Sequence, residues 1–421
     1  MMDWQRKLAP LVRAAEKRYD ALKYRLYYAL GGPRPIKIEP YHGYGSAEHL
    51  YLTGRVREKR GVTPPSDTDN WWDNLVNMYK RLASYEVPHA RLLAQSQGVE
   101  KEIVADEEGM FEVWIEFPRP IVSDQRWQPV ELELVEPLCE WQKETVRATG
   151  HVLIPSPKAP YGVISDIDDT IIQSGVGNFL QMAYTMLFGN ARTRLPLPGA
   201  AAFYRALYAG AGSEARVPIF YVSNSPWNLY DFLVDFFELN DIPGGPVLLL
   251  RNWGIYRDEL LPTRQREHKI ELTRQILDMY PDLSFLLIGD SGEADPEIYH
   301  ELVHHYGERI LAVYIRNVDH DPERAAAIRA LADEVLAAGS ELILADDSLT
   351  MARHAAEHGW IARETLPEIA TAQARDLAEP SDHTEHDTIK GSESPKQKEV
   401  PSALEGDDST SIIIVKPKAE H

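Results

Sequence analysis

Apolar residues recur in two distinct rhythms along the chain. From about Ile36 to Ile154 the stretches LYLTGRVRE, MFEVWIEFPRP, WQPVELELVE and TVRATGHVLIP alternate apolar with polar positions and are separated by polar and Gly/Pro segments. Val130, Leu132 and Leu134 against Glu131 and Glu133 show the period of a strand with one wet face. This predicts a small antiparallel β domain of sandwich or barrel type over residues 36–157, interrupted between Thr63 and Leu92 by a helix containing TDNWWDNLVNMYKRLAS. From Tyr161 the rhythm changes. YGVISDID, VPIFYVSNS, LSFLLIGDS, ILAVYIRNV and ELILADD are short, apolar and mostly unalternating, as strands covered on both faces must be. Helical periods lie between or after them in PGAAAFYRALYAG, WNLYDFLVDFFELN, TRQREHKIELTRQILDMYP, ADPEIYHELVHHYG, DPERAAAIRALADEVLAA and SLTMARHAAEHG. The alternation predicts an α/β domain with an open parallel sheet over residues 158–365.

Both ends differ from this body. Over residues 1–32, Leu11, Ala15, Tyr19, Leu22 and Leu26 fall at helical spacing among Arg13, Lys17, Arg18, Lys23 and Arg25, and GGPRP follows as a stop. Such a segment is read either as a helix packed on the protein or as a basic amphipathic helix touching an anionic membrane surface. It lacks the apolar core of a signal peptide, and no apolar run of spanning length follows, so a cytoplasmic protein is expected. Residues 371–421 are rich in Ser, Thr, Asp, Glu, Pro and Lys with few apolar positions before SIIIV, which predicts a disordered acidic tail. Over all 421 residues, 44 basic and 65 acidic side chains give a formal charge of −21, so no nucleic-acid partner is expected. The single cysteine, Cys139, excludes an intrachain disulfide.

Charge also accumulates where the pattern predicts strand ends. GVISDIDDT sets Asp166, Asp168 and Asp169 just past an apolar run, and LLIGDSGEAD sets Asp290, Glu293 and Asp295 past another. In open parallel sheets that edge gathers ligands. Crowded carboxylates repel unless a cation or a shared proton sits among them, and a hard oxygen-liganded ion, Mg2+, suits an all-carboxylate set. An acidic turn that caps the next helix explains either cluster alone. At a third strand end, Ser223, Asn224 and Ser225 offer hydroxyl, amide and backbone donors for an oxyanion, with Pro226 read as starting a helix. Lys269 ordinarily reads as a solvated helix lysine; an anionic substrate beside the carboxylates gives it a second reading, as a compensating charge.

The order DIDDT, a strand-ending serine, a lysine and GDSGEAD resembles the four motifs of haloacid-dehalogenase-like phosphatases. GVISDIDDTIIQSGV, YVSNSPWNLYDFL, His268-Lys269 and LLIGDSGEADPEIY are most similar to the actin-patch-associated phosphatidate phosphatase family. The resemblance covers roughly residues 36–330, and most strongly 161–316. It implies a Rossmann-like, haloacid-dehalogenase-type parallel sheet domain preceded by a small β-rich domain. It also implies that Asp166 is the nucleophile and Asp168 the general acid/base, and that Ser223 binds a phosphoryl oxygen with Asn224 beside it. Lys269 would then stabilise nucleophile and phosphate. Asp290 would hold Mg2+ with Asp166 and Asp168, assisted by Asp295 or, second to it, Glu293. Thr170 reads as a local hydrogen-bonding or capping residue. The implied activity is Mg2+-dependent hydrolysis of phosphatidate to diacylglycerol and phosphate through an aspartyl-phosphate.

Between the first motif and LPLPGAAAF, the run containing Phe179, Met182, Tyr184, Met186 and Phe188 reads either as a lid offering apolar surface to an acyl chain or as a buried helix. A phosphatase for a soluble phosphomonoester and a non-catalytic lipid- or protein-binding module remain alternatives. His354 and His358 share a helix face at four-residue spacing, but with no third ligand placed they read as surface residues rather than a zinc site.

Overall fold

The structure, a computed structural model, describes residues 35–58, 86–121, 125–137, 144–172, 196–212, 216–250, 262–318 and 320–378. The segments 1–32 and 179–188, most of the segment read as a helix after Thr63, and the chain past 378 lie outside the described residues. Among the described residues no helix is long and apolar enough to cross a membrane.

The first region is β-rich. Strands β1 (Ile36–Pro40), β2 (Gly43–Gly45), β3 (His49–Glu58), β4 (Arg91–Ser96), β5 (Val99–Val104), β6 (Met110–Glu116), β7 (Trp127–Glu136) and β8 (Arg147–Leu153) form one sheet in the order β1-β3-β2-β8-β7-β4-β5, with β6 on the other edge of β3. The alternation works as its period requires: in β7, Val130, Leu132 and Leu134 are buried while Glu131 is exposed. The sheet curls so that Lys101 on β5 donates to the Trp114 carbonyl on β6 at 2.7 Å. Short β1, β2, β4 and β5 were not anticipated, and the pairing is not wholly antiparallel, since β2 runs parallel to β8. GYG and VEKEIV lack the alternation that marks their neighbours, so only their pairing identifies them.

The second sheet is wholly parallel. Strands β9 (Gly162–Ser165), β10 (Ile219–Pro226), β11 (Val247–Leu250), β12 (Phe285–Asp290), β13 (Ile310–Arg316) and β14 (Leu342–Ala345) lie in the order β11-β10-β9-β12-β13-β14. Helices α1 (Ala200–Ala209), α2 (Tyr230–Leu239), α3 (Pro262–Met279), α4 (Asp295–Tyr306), α5 (Pro322–Ala337), α6 (Ser348–Glu357) and α7 (Leu366–Ala378) cover it. Successive strand residues point to opposite faces. Val163, Tyr221, Leu286 and Ile288 pack with Phe203 of α1, Phe236 of α2, Met351 of α6 and Ile369 of α7. Ile164, Phe220, Val222 and Leu287 pack with Ile276 of α3, Leu302 of α4 and Val335 of α5. Burial on both faces is why these strands read as unbroken apolar runs.

The structure departs from the sequence expectation at two places in this domain. Pro226 ends β10 instead of opening a helix, and a 3-10 turn, Trp227–Leu229, precedes α2. The chain also stays ordered past Thr371, because α7 runs to Ala378 with Ile369 buried, and Asp376 accepts the Gly199 N–H at 3.0 Å. Its polar composition suits a helix with one buried stripe on α1 and α6 as well as it suits a tail.

From β9 the chain steps outward through β10 to β11, then returns to the far side of β9 for β12 and continues to β14. This reversal makes a switch point between β9 and β12, where the following loops diverge and leave a crevice at the C-terminal strand ends. The β-rich region packs against the same body. Tyr41 stacks on Trp227 at 4.8 Å between ring centres, and the His42 N–H donates to the Tyr230 hydroxyl at 2.7 Å.

Candidate active site

Three strand-end segments and helix α3 meet at the switch point. Asp166 follows β9, and its N–H donates to the Ile288 carbonyl of β12 at 2.9 Å, which ties the two central strand ends together. Asp290 closes β12, and its Oδ1 accepts the N–H groups of Gly292 and Glu293 at 2.7 and 3.0 Å, winding the chain into α4. Asp295 is the first residue of α4 and is fully buried. It sits over Gly289, where a Cβ would lie 2.2 Å from Asp295 Oδ2, so the glycine before Asp290 is what admits the second acid.

Lys269, about two turns into α3, reaches these acids from the other side of the crevice. It is 1% exposed, which overturns its ordinary reading as a solvated lysine. Its Nζ lies 2.8 Å from Asp166 Oδ1, 2.5 Å from Asp295 Oδ1 and 3.5 Å from Glu293 Oε2. Burial disfavours the ammonium, but Asp166, Asp295 and Glu293 more than offset it and hold its pKa above the usual lysine value. Burial, with each carboxylate repelling the next, raises Asp166 and Asp290; burial outweighs the Lys269 charge in raising Asp295. One lysine therefore faces three buried carboxylates.

Acceptors in this cluster are left over. Among the described residues, Asp166 Oδ2 and Asp290 Oδ2 are buried with no hydrogen-bond donor, and Asp295 Oδ1 has only the Lys269 ammonium. Oxygens from Asp166, Asp290 and Asp295 all lie within 4.8 Å of one another. Buried, donor-free carboxylate oxygens beside excess negative charge suit a hard divalent cation.

Asp168 is held apart from this cluster. Its Oδ2 accepts from Ser223 Oγ at 2.8 Å and Ser225 Oγ at 3.0 Å, while its buried Oδ1 has no partner among the described residues. Burial, reinforced by the Glu293 charge, pushes its pKa up to about 6, against the pull of the two hydroxyls. The Ser225 N–H also donates to Ser223 Oγ at 2.9 Å, which orients both hydroxyls. Asn224 turns the other way and donates from Nδ2 to Glu293 Oε2 at 3.1 Å. Asp169 has φ +50° and donates its N–H to the Ile172 carbonyl, so it shapes the loop that aims its neighbours.

Ser223, Asn224, Lys269, Asp290, Asp295, Asp166 and Asp168 are thus brought into one crevice, whereas Phe179, Met182, Tyr184, Met186 and Phe188 lie outside the described residues. Sequence reasoning placed Ser225 with Ser223 and Asn224 as an oxyanion donor, not as a partner of Asp168, and missed Arg324. The latter, on α5, donates to the Ser291 and Glu293 carbonyls at 2.9 and 2.8 Å and pairs with Glu297, pinning the loop that carries Asp290. Nothing local to DPERAAAI distinguishes this arginine from a surface one.

Comparison with known proteins gives a match over the same elements. Residues 161–317 match the family described as "Phosphatidate phosphatase APP1, catalytic domain". A Saccharomyces cerevisiae protein named phosphatidate phosphatase APP1 is 34% identical over 160 residues, 38% of this chain and 26% of the yeast protein. An uncharacterized Schizosaccharomyces pombe protein is 31% identical over 161 residues, 38% of this chain and 25% of its own. The chain thus spans about a quarter of the length of the curated relatives it matches. Among solved structures, a carbohydrate acetylesterase of Xanthomonas citri aligns over 75% of this chain and 72% of its own at 10% identity and TM-score 0.26, too slight a likeness to bear on the fold.

Proposed function

We propose that this protein is a haloacid-dehalogenase-type phosphatidate phosphatase that hydrolyses phosphatidate to diacylglycerol and phosphate through an aspartyl-phosphate. The observation that carries the reading is the buried Lys269 joining Asp166 to Asp295 while Asp166 Oδ2 is left without a donor. Held through Oδ1, the carboxylate presents Oδ2 as a nucleophile. That oxygen attacks phosphorus as the bond to the lipid alcohol breaks, and protonated Asp168 gives its proton to the departing oxygen. In the second half Asp168 takes a proton from water as the water oxygen attacks phosphorus and the bond to Asp166 opens. A carboxyl with a pKa pushed up to about 6 is suited to both tasks.

Ser223 turns from Asp168 to a phosphoryl oxygen when substrate is present, and Ser225 stays on Asp168. Lys269 opposes the charge on the equatorial oxygens. Asp290 would hold Mg2+ through its donor-free Oδ2, with Asp166 contributing the carboxylate oxygen not used in attack and Asp295 fixed behind them by Lys269. Asp168, with Oδ2 taken by the serines, keeps only Oδ1 for a cation or a proton. When bound, the ion would neutralise charge on the phosphoryl oxygens.

The phosphatidate assignment is supported by the similarity of residues 161–317 to the phosphatidate phosphatase catalytic domain and by the apolar run from Phe179 to Phe188. Phosphate release from phosphatidate in mixed micelles, set against a panel of soluble phosphate esters, tests it. Asp166→Asn is expected to abolish release. Turnover of the soluble esters alone would replace the substrate, and an active Asp166→Asn would sink the mechanism.

A further inference from the structure

The far side of the same domain carries a second convergence of ligand atoms. His354 lies in the last turn of α6 and His358 caps its C-terminal end one turn on, and the third residue, Glu341, immediately precedes β14. Glu341 Oε2 sits 2.8 Å from His354 Nε2 and 3.3 Å from His358 Nε2. The rings are 4.2 Å apart between centres. His354 is 2% exposed, so it is not the surface residue its helix position implied.

The protons on the two rings decide what the cluster can hold. His358 Nδ1 faces the His354 carbonyl at 3.0 Å, and a carbonyl only accepts, so Nδ1 carries the hydrogen and neutral His358 presents a lone pair at Nε2. His354 Nδ1 is taken by the Tyr314 hydroxyl at 3.0 Å, within the buried core. Both imidazoles thus use Nδ1 for a supporting oxygen and turn Nε2 toward one carboxylate oxygen, the arrangement in which metal-bound histidines are usually held. A lone pair 3.3 Å from a carboxylate oxygen is repulsive unless a proton or a metal ion lies between them.

We infer that Glu341, His354 and His358 form a zinc site, separate from the carboxylate crevice, that ties β14 to α6. Two imidazole nitrogens and one carboxylate oxygen suit zinc better than Mg2+, which takes oxygen ligands. Three protein ligands leave the fourth position of a tetrahedral ion open on the side where His358 is 36% exposed. A second grouping, His300, His304 and Glu334, is the internal control. There His304 Nε2 lies 3.0 Å from His300 Nε2 but 4.0 Å from Glu334 Oε2, and His304 is half exposed.

The test uses the full chain, stripped with chelator, returned to Mg2+ buffer to saturate the carboxylate crevice, mixed with ZnCl2 and gel-filtered before zinc is counted by mass spectrometry. Wild type and His304→Ala are expected to retain an equivalent of zinc that both His358→Ala and Glu341→Gln lose. Zinc is also expected to raise the Tm of the first two proteins only. Glu341→Gln keeps the side-chain shape, and matching Tm values in chelator show that both variants fold. The inference is overturned if wild type retains no zinc, if His358→Ala and Glu341→Gln retain as much as wild type, or if His304→Ala is the change that removes it.

Discussion

Lys269→Met isolates the electrostatic core of the crevice without relying on turnover. The substitution keeps an unbranched side chain of similar length and deletes a charge that lies 2.8 Å from Asp166 and 2.5 Å from Asp295, two carboxylates that are 1% and 0% exposed. Removing one partner of a buried pair costs about 3–5 kcal/mol, because the remaining charge is left in a poorly solvating interior. For a domain of this size that corresponds to a fall in Tm on the order of 10 °C, read by thermal unfolding at pH 8 in chelator. The effect has a defined pH dependence. Asp166, Asp290 and Asp295 already have raised pKa values, and all three lose the lysine that opposes the rise. A carboxyl with a raised folded pKa binds its proton more tightly folded than unfolded, so stability is gained as pH falls through the folded value and levels off below the unfolded value of about 4. The Tm gap between variant and wild type is therefore expected to narrow from pH 8 toward pH 5. Asp295→Asn on the Lys269→Met background is expected to recover part of the loss, with a coupling of about 1–3 kcal/mol. A Lys269→Met protein within about 2 °C of wild type at pH 8 would refute the reasoning, since only an exposed lysine is dispensable to that degree.

Ser225→Ala removes one of two hydroxyls that stabilise ionised Asp168, so the pKa near 6 is expected to rise by about one unit. Because the leaving alcohol needs the protonated form, the basic limb of the kcat/KM profile should move to higher pH; a downward shift would be inconsistent with Asp168 as the acid. Mg2+ is expected to raise the Tm of wild type, by about 2.7 kcal/mol of stabilisation at a hundredfold excess over Kd, and Asp290→Asn should respond far less in the same titration. Gly289→Ala places a methyl group 2.2 Å from Asp295 Oδ2. It is expected to cost about 1–3 kcal/mol in chemical unfolding and to lower kcat, whereas an unchanged protein would mean that Asp295 moves freely.

Much of the site was legible because a parallel sheet obliges its ligand groups to sit just past strand ends. Apolar runs ending in Asp166, Ser223 and Asp290 reveal both the strand and the edge, with no knowledge of how the strands are ordered. The β-rich region was legible where one face is wet, as in Val130 to Leu134, and illegible in β2 and β5, whose pattern does not alternate. The sequence could not distinguish the β9–β12 switch point from any other strand pair, because strand order is set by crossovers between residues far apart in the chain.

Side-chain partners belong to the same class. Lys269 lies in a helix whose composition is that of a solvated one, and only the packing of α3 against the sheet buries its ammonium among three carboxylates. Glu341 lies 13 residues from His354, and no helical or strand period relates them. The sequence by itself determined which groups were available at each strand end, since burial pattern and residue type are local. Their charge states, partners and unsatisfied oxygens were decided only by the tertiary structure, because desolvation and Coulomb interaction depend on distance in space.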